Sequence, residues 1–195
     1  LSHAASLTAF GNTVPTSFLR LVPHQEAPTA ICWGDRNRSV LVRVPLGWQN
    51  IDDSMFRDAN PNEPPIAGLP NDSQTIELRS PDGSAAIHLL LAGIVVAARI
   101  GLTRPGMADY ASKRKVDGDA SQTPGLDQLP SSCFEAAGRL LTQREDYEEG
   151  GVFPAGLIDS WAARLVELGD MHLRDDLADS RVSVEELVER YFYIG

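Results

Sequence analysis

Apolar residues recur at helical spacing in the first ten positions and fill a long run at 85–102. The first of these segments ends at Gly11, a residue that commonly stops helices. The second segment predicts a helix from 84 to about 101. Because His88 and Arg99 interrupt its apolar run, we interpret it as a buried core helix and not as a membrane span. A histidine on such a helix is more typical of a core residue than of a ligand.

Three short runs rich in β-branched residues predict strands, at 30–33, 40–44 and 74–79. Side chains alternate between the two faces of a strand, so Arg43 faces away from the valines on either side of it. By the same rule Glu77 and Arg79 share one face of the third strand. The pattern predicts that these three charged side chains meet if their faces line one cleft. The alternative is that they lie on solvated faces.

Polar segments separate these elements. Residues 11–18 carry turn residues, and the stretch at 48–71 contains four prolines, which predicts an irregular excursion. The stretch at 103–130 is rich in Gly, Asp and Ser and is predicted to be a mobile loop. We interpret its basic tract, Lys113 to Lys115, as a solvated turn and not as a binding patch.

The last third of the chain has helical patterns. Ser132 with Glu135, and Ser183 with Glu186, have the spacing of capping boxes at helix starts. Pro154 is predicted to occupy the first turn of a further helix. Apolar residues at three- and four-residue spacing give that helix a core-facing stripe, formed by Leu157, Trp161, Leu165 and Leu168. The order helix, strands, helices predicts an α+β fold with a partial antiparallel sheet packed against helices.

The composition limits the function. With 43% hydrophobic residues among 195, the chain can bury the core of one domain. The balance of 17 Lys+Arg against 27 Asp+Glu gives a formal net charge of -10, which argues against nucleic acid and anionic membranes as partners. Cys32 and Cys133 lack metal-ligand spacing, so we expect free thiols and a cytoplasmic location. Because the chain starts at Leu1, we expect processing or a longer parent protein.

Against this acidic background, arginines cluster between positions 20 and 43. Arg20, Arg36, Arg38 and Arg43 lie around a single carboxylate, Glu26. Guanidinium groups are permanently charged and forked, which makes them the preferred partners of carboxylate and phosphate groups. The segment therefore predicts a small anionic ligand, possessing a carboxylate or a phosphoryl group.

Two carboxylates complete the candidate chemistry. Glu77, next to Arg79, is suited to hold a hard divalent cation such as Mg²⁺. Glu26 lies between two prolines in a loop, a placement that suits a general base or a gate over the substrate. The sequence contains no GxxxxGK[ST], GxGxxG, GxSxG or HExxH motif. The residues alone thus indicate an anion-binding, metal-dependent site.

Three motifs carry a family resemblance. They are RLVPHQEAP, RNRSVLVRVP and TIELRSPDGSA, followed by the helix LLLAGIVVAARIGL and a late GGVF segment. In this order they resemble the second half of the catalytic domain of glutamine synthetase. The resemblance implies the glutamine synthetase type of α+β fold and the ATP-dependent ligation of ammonia to glutamate through γ-glutamyl phosphate. It also implies Mg²⁺ or Mn²⁺ as the metal.

The resemblance assigns roles on the glutamate side of the reaction. Arg20 matches the arginine that binds the glutamate substrate, and Arg79 matches a contact to its γ-carboxyl group and the attached phosphate. Glu26 matches the flap glutamate, which shields the intermediate from water and takes a proton from ammonium. The family often has Gly-Tyr where this chain has His24 and Gln25, so the flap differs in detail.

The nucleotide side follows from the same motifs. Arg38 matches the arginine that stabilises the transferring phosphoryl group and contacts the nucleotide, and Arg43 matches another nucleotide-phosphate contact. Glu77 matches a ligand of the ATP-side metal ion. Thr75 stands where many bacterial members have an arginine near the nucleotide. Arg36 has no counterpart role and is expected to be structural or solvated.

By the same resemblance, residues 1–195 are the C-terminal portion of a catalytic domain. The family's N-terminal β-grasp domain and the first half of its catalytic domain are absent, so we expect the isolated chain to be inactive. The parent is expected to form a ring-shaped homo-oligomer, and the isolated chain a monomer or small oligomer. Two alternatives stay open: a glutamate–amine ligase of the same superfamily that takes a polyamine, and a non-catalytic assembly domain.

Overall fold

The computed structural model describes residues 1–23, 27–45, 54–64 and 75–193. Within these ranges the strands are β1 (Trp33–Asp35), β2 (Val42–Val44) and β3 (Glu77–Leu78). The α-helices are α1 (Ala4–Gly11), α2 (Pro15–Leu19), α3 (Ser54–Ala59), α4 (Ile87–Thr103), α5 (Met107–Ser112), α6 (Cys133–Thr142), α7 (Arg144–Glu148), α8 (Leu157–Val166), α9 (Leu173–Ala178) and α10 (Val184–Tyr191). The predicted α+β class is confirmed. The predicted turn at 11–18 was wrong in its second half, because Pro15 begins α2 and suits the first turn of a helix.

The main hydrophobic core lies between α1, α4, α6 and α8. Phe10 is fully buried at its centre, stacked on Phe153 with ring centroids 5.4 Å apart and edge-on to Tyr147 at 5.6 Å. Trp161 packs against the same core, and its indole Nε1 donates to the carbonyl of Ala9 at 2.8 Å. The predicted apolar stripe on α8 is therefore confirmed as a core stripe.

A glycine sets the distance between α4 and α1. A Cβ atom on Gly93 would lie 2.8 Å from Leu7 Cδ2 and 3.2 Å from a ring carbon of Phe10, closer than packed carbon atoms approach. Gly101, two turns later on the same helix, has no atom within 4 Å of the corresponding position. Only the first of these glycines is required for packing.

Helix α4 buries one face and exposes the other. Its buried positions recur at three- and four-residue spacing: Leu90, Gly93, Val96 and Ile100. Apolar side chains with 58% to 88% of their area exposed occupy the other face: Ile87, Leu91, Val95 and Leu102. His88 is exposed too, so its prediction as a core residue was wrong. A continuous apolar run conceals which face is buried. In the described part of the chain, no helix is long and apolar enough to cross a membrane.

The three strands form one mixed sheet in the order β1-β2-β3. The β2–β3 pair is antiparallel as predicted, and it places Arg43 opposite Glu77. The β1–β2 pair is instead parallel, with Gly34 opposite Arg43. Parallel strands normally need a connection of a dozen or more residues, whereas here only residues 36–41 intervene. This short connection, which we call the Arg38 loop, reverses through Arg36 in the left-handed conformation, at φ 57°.

The segment at 103–130 is more ordered in secondary structure than its composition predicted. It contains α5 and a 3₁₀ turn at Ala120–Gln122, so the prediction that the whole stretch is a loop was wrong. Five buried residues form a second, smaller core between this segment and the sheet: Ala30, Cys32, Val40, Val116 and Ala120. Isolated apolar residues in a polar stretch give no periodic signal, which is why the composition was misleading. The basic tract is not a patch, since Arg114 and Lys115 pair with Asp127 and Asp35.

Side-chain caps define several helix starts. Ser183 and Glu186 form the complete capping box predicted for α10. Ser132 caps α6, but the Glu135 side chain accepts from the amide of Ser131, so the predicted capping box is only half formed. The buried carboxylate of Asp170 also accepts from the first two amides of that helix, at 2.7 and 3.1 Å. Pro154 was wrongly predicted to lie in the first turn of α8, which begins after Gly156.

The two cysteines are buried and free, and burial raises the pKa of both thiols.

A buried polar network joins α1 to α7. His3 is fully buried, and its Nε2 lies 2.9 Å from Asp146 Oδ2. Arg104 donates to the other oxygen of this carboxylate at 2.5 Å. Burial lowers the pKa of His3, and the hydrogen bond from Arg104 lowers the pKa of Asp146. Nearby, the Ser6 hydroxyl lies 2.7 Å from the hydroxyl of Tyr147.

Candidate active site

Arg43, Glu77 and Arg79 form one ion-pair cluster on β2 and the end of β3. The Nε and one Nη atom of Arg43 lie 2.8 and 2.5 Å from Glu77 Oε2, and Arg79 Nε lies 3.3 Å from Glu77 Oε1. The Arg79 side chain is 12% exposed and that of Glu77 is 40% exposed, so the cluster opens to solvent at its carboxylate. The prediction that strand alternation brings these three side chains together is confirmed. The roles assigned to them stay predictions.

Arg79 also connects this cluster to the Arg38 loop. Its Nη1 donates to the backbone carbonyl of Arg38 and, at 3.3 Å, to that of Val40. The Arg38 side chain itself is exposed. One guanidinium therefore contacts both the candidate metal ligand and the backbone that carries the candidate phosphoryl-stabilising arginine.

Arg20 lies against the residue that follows Arg79. Its Nη2 donates to the carbonyl of Ser80 at 2.5 Å and to that of Pro81 at 3.3 Å. The turn that carries Arg20 is held from the other side by Arg174 on α9, which donates to the carbonyl of Phe18 at 2.8 Å. Both of the predicted substrate-binding arginines thus lie at the end of β3.

A cavity of about 200 Å³ opens beside Arg38. Pro23 and Ala27, which flank the segment 24–26, form part of its wall, together with polar residues such as Asp119. Glu26, the predicted gate and base, lies outside the described residues. The two residues that anchor its segment therefore border the same small cavity as the predicted phosphoryl-stabilising arginine.

The electrostatics of the site favour anions. Arg20, Arg38, Arg43 and Arg79 outnumber the two described carboxylates near them, Glu77 and Asp119, although the whole chain carries a net charge of -10. Across the described ranges, no group of three or more His, Cys, Asp or Glu residues could hold a metal ion. Glu77 could contribute oxygen ligands to a cation only together with ligands from elsewhere, and both of its oxygens contact guanidinium groups here.

A larger cavity lies away from this site. It measures about 740 Å³ and is lined by residues from α6 and from the segment before it, including Asp127, Gln128 and Arg139. None of the predicted site residues that the structure describes lines it. Its size alone does not make it a candidate for the chemistry that the arginines indicate.

Comparison with known proteins decides the family. The family profile described as "Glutamine synthetase, catalytic domain" matches residues 1–173, most of the chain. The chain belongs to the glutamine synthetase family. The match includes every residue of the arginine cluster and all three motifs that carried the resemblance.

Curated glutamine synthetases align with most or all of this chain, but the alignment spans less than half of their own length. That of Pyrococcus abyssi is 33% identical over 201 aligned positions, spanning 100% of this chain and 40% of its own length. That of Thermococcus kodakarensis is 32% identical over the same coverage. The glutamine synthetase of Mycobacterium tuberculosis is 31% identical over 83% of this chain and 30% of its own length. The chain thus spans about 40% of the length of the archaeal relatives.

Two solved structures share the fold. One, described as a crystal structure of a novel glutamine synthase homolog, has a TM-score of 0.61 and 22% identity, covering all of this chain and 37% of that one. The other is the glutamine synthetase of Plasmodium falciparum, with a TM-score of 0.60 and 17% identity over 98% of this chain and 39% of that one. At these identities the likeness establishes the fold of the glutamine synthetase catalytic domain.

Sequence reasoning missed the residues that support the arginines. Asn37 and Ser39 flank Arg38 and bind the segment 116–120, and the Asn-x-Ser spacing was a detectable signal of a local turn. Arg174 gave no such signal, since its partners are backbone carbonyls more than 150 positions earlier in the chain. Arg36 was expected to be structural or solvated; its side chain is exposed, and its backbone reverses the Arg38 loop.

Proposed function

We propose that this glutamine synthetase domain is the C-terminal portion of the catalytic domain of an ATP-dependent ligase that joins ammonia to glutamate through γ-glutamyl phosphate. The observation that carries the proposal is the Arg43–Glu77–Arg79 cluster, tied through Arg79 to the backbone of Arg38. Membership of the family and the names of the relatives support it.

The proposed substrates are all recognised through anionic groups. Arg20, held at the end of β3, would pair with the glutamate carboxylate, for which a forked guanidinium is well suited. Arg38 and Arg43 would contact the phosphates of ATP, and Arg38 would stabilise the charge that develops on the transferring phosphoryl group. Arg79 would contact the γ-carboxyl group and the phosphate that joins it. Glu26 would close the site and accept a proton from ammonium.

A divalent cation would be held in part by Glu77. Mg²⁺ in phosphoryl-transfer sites typically binds one or two carboxylates together with substrate phosphates, so a single glutamate beside phosphate-binding arginines fits part of such a site. When bound, the cation would neutralise charge on the phosphate oxygens. Glu77 would then exchange at least one of its guanidinium contacts for the cation. We expect the remaining ligands in the rest of the parent protein, and we expect the isolated chain to be inactive.

The test is ATP turnover by the full-length parent with glutamate and either ammonium, putrescine or ethanolamine as the amine. We expect ammonium to be used best. Turnover only with a larger amine would replace the proposal with a glutamate–amine ligase, because the activation of glutamate is common to both reactions.

Two matched variants test the arginine assignment in the same assay. Arg38→Gln should lower turnover on the order of 100-fold or more, because it removes a fixed cation from the phosphoryl group. Arg36→Gln removes the same charge two residues away, on the same exposed loop, and should leave turnover within about twofold. Unaffected turnover in Arg38→Gln would contradict the role proposed for Arg38, and it would favour the alternative that this domain is a non-catalytic assembly domain within the parent.

A further inference from the structure

The Arg38 loop is docked onto the segment 116–120, part of the stretch that was predicted to be a mobile loop. The docking begins at Gly34, where an added Cβ atom would lie 2.4 Å from the backbone oxygen of Val116. The amide of Val116 donates in turn to the carbonyl of Trp33 at 2.8 Å. No side chain larger than that of glycine fits between these two backbones.

Asn37 uses both ends of its side chain at this junction. Its Nδ2 donates to the carbonyl of Gly118 at 2.6 Å and to that of Val116 at 3.2 Å. Its Oδ1 accepts from the amide and from the hydroxyl of Ser39, at 2.9 and 2.8 Å. The second pair of contacts closes a turn around Arg38, which lies between the two residues.

Ser39 makes the complementary contact from the other side of Arg38. Its hydroxyl accepts from the amide of Ala120 at 2.9 Å. The carbonyl of Arg38 is occupied as well, because it accepts from Arg79. The backbone of Arg38 is therefore fixed by a turn, by two neighbours bound to one segment, and by the ion-pair cluster, while its side chain is exposed.

From this geometry we propose that Asn37 and Ser39 are positioning residues that orient Arg38 toward the transferring phosphoryl group, with the segment 116–120 as their support. The proposal rests on the proposed function, which gives Arg38 its role. Positioned cations act through pre-organisation, and a displacement of about 1 Å can lower a rate on the order of 100-fold. Loss of either residue should therefore reduce catalysis much more than binding of the other substrate groups.

Variants of Asn37 separate its two functions. Asn37→Asp keeps an acceptor for Ser39 but replaces the amide donors with an oxygen that faces the carbonyls of Val116 and Gly118. Asn37→Ala removes both sets of contacts. For Ser39, alanine removes the acceptor for Ala120, whereas threonine retains a hydroxyl and should restore most of the activity. If the Asn37 variants fail to fold, the comparison of Ser39→Ala with Ser39→Thr still tests the proposal.

A control variant addresses general loosening of the same junction. Asp35 and Lys115 form an exposed ion pair, with 2.9 Å between Oδ2 and Nζ, that also joins β1 to the neighbouring segment. Asp35→Asn removes this pair without touching the backbone of Arg38. Because exposed ion pairs contribute little, we expect turnover within about twofold of the unmodified parent.

The readout is nucleotide affinity and turnover in the full-length parent. We expect Asn37→Ala and Ser39→Ala to weaken binding of a non-hydrolysable ATP analogue about tenfold or more, to lower kcat on the order of 10- to 100-fold, and to leave ADP affinity and the KM for glutamate within about threefold. ADP lacks the phosphoryl group that Arg38 is proposed to contact. Equal losses for ADP and the ATP analogue would indicate a merely structural role and would overturn the proposal.

Arg38→Gln, measured in parallel, separates the two levels of inference. If this variant loses turnover while those of Asn37 and Ser39 do not, the positioning proposal is wrong and the proposed function stands. If Arg38→Gln has no effect, the role of Arg38 in the proposed function is wrong, and the positioning proposal falls with it. Loss of turnover in Arg38→Gln, Asn37→Ala and Ser39→Ala, with most of the turnover retained in Ser39→Thr, supports both the proposed function and the positioning proposal.

Discussion

Glu77→Gln distinguishes a carboxylate kept for catalysis from one kept for stability. The substitution preserves the size of the side chain and one acceptor oxygen, but removes the charge that faces Arg43 and Arg79. Under the proposed function, Glu77 is a metal ligand. In a purely structural interpretation, it is the counter-charge that keeps two arginines together on the sheet.

The structure sets the size of the expected stability change. Glu77 is 40% exposed and Arg43 is 24% exposed, so the pair is screened by water despite its short contacts. Ion pairs of this kind contribute roughly 0.2–1 kcal/mol, and we expect Glu77→Gln to lower the free energy of unfolding by about 1 kcal/mol or less. Turnover of the parent should instead fall on the order of 100-fold or more, since a neutral amide is a poor ligand for a hard cation.

The assay combines urea unfolding of the chain with ATP turnover of the parent, and Glu148→Gln is the matched control. Glu148 pairs with Arg144 at 3.1 Å and is 28% exposed, so its neutralisation should change stability by a similar amount without changing turnover. The reasoning is refuted if Glu77→Gln lowers the free energy of unfolding by about 3 kcal/mol or more, the range of broken buried pairs. It is equally refuted if turnover is retained.

Three further predictions concern the scaffold. Gly93→Ala should be less stable to urea than Gly101→Ala, by about 1–3 kcal/mol in the free energy of unfolding. Both variants gain helix propensity, but only Gly93→Ala adds a methyl group against α1. Equal urea midpoints would contradict this prediction. Because burial lowers the pKa of His3, folding favours the neutral form of its imidazole over the protonated form. Stability should therefore hold above about pH 6.5 and fall as the pH drops below that value, a slope that His3→Gln should reduce. Asp170→Ala removes both acceptors for the first amides of α6 and should lower the free energy of unfolding by about 1–3 kcal/mol, measured by thermal unfolding. Asp170→Asn keeps one acceptor oxygen and should lower it by less. Equal losses in the two variants would exclude a capping role for Asp170.

Strand alternation predicted the centre of the candidate site on one condition. Arg43, Glu77 and Arg79 were expected to converge if their faces line one cleft, and the antiparallel β2–β3 register brings them together. The prediction was possible because a strand has only two faces. Once one face is assumed to line the cleft, the side of the sheet on which each side chain of that strand lies is known.

The same reasoning failed where the decisive contact is long-range. The exposed face of α4 could not be read from an uninterrupted apolar run, since the run fits burial on every side equally well. The second core was missed because Val116 and Ala120 stand singly in a polar stretch and acquire a partner only when Cys32 and Val40 are placed beside them. The parallel β1–β2 pair likewise depends on the docking of a short loop that carries no strand signal.

The way in which the arginines are held explains how an acidic chain can keep a site for anions. Arg20 and Arg174 donate to the backbone carbonyls of Ser80 and Phe18. Arg79 combines such a contact, to the carbonyl of Arg38, with its ion pair to Glu77. A guanidinium has five donors, and a carbonyl group satisfies one of them without supplying a negative charge. Such contacts orient the side chain and leave its formal charge in place, whereas a carboxylate partner would both orient and neutralise it. Arginine–carbonyl contacts are therefore a means of building a rigid cationic site within an acidic chain.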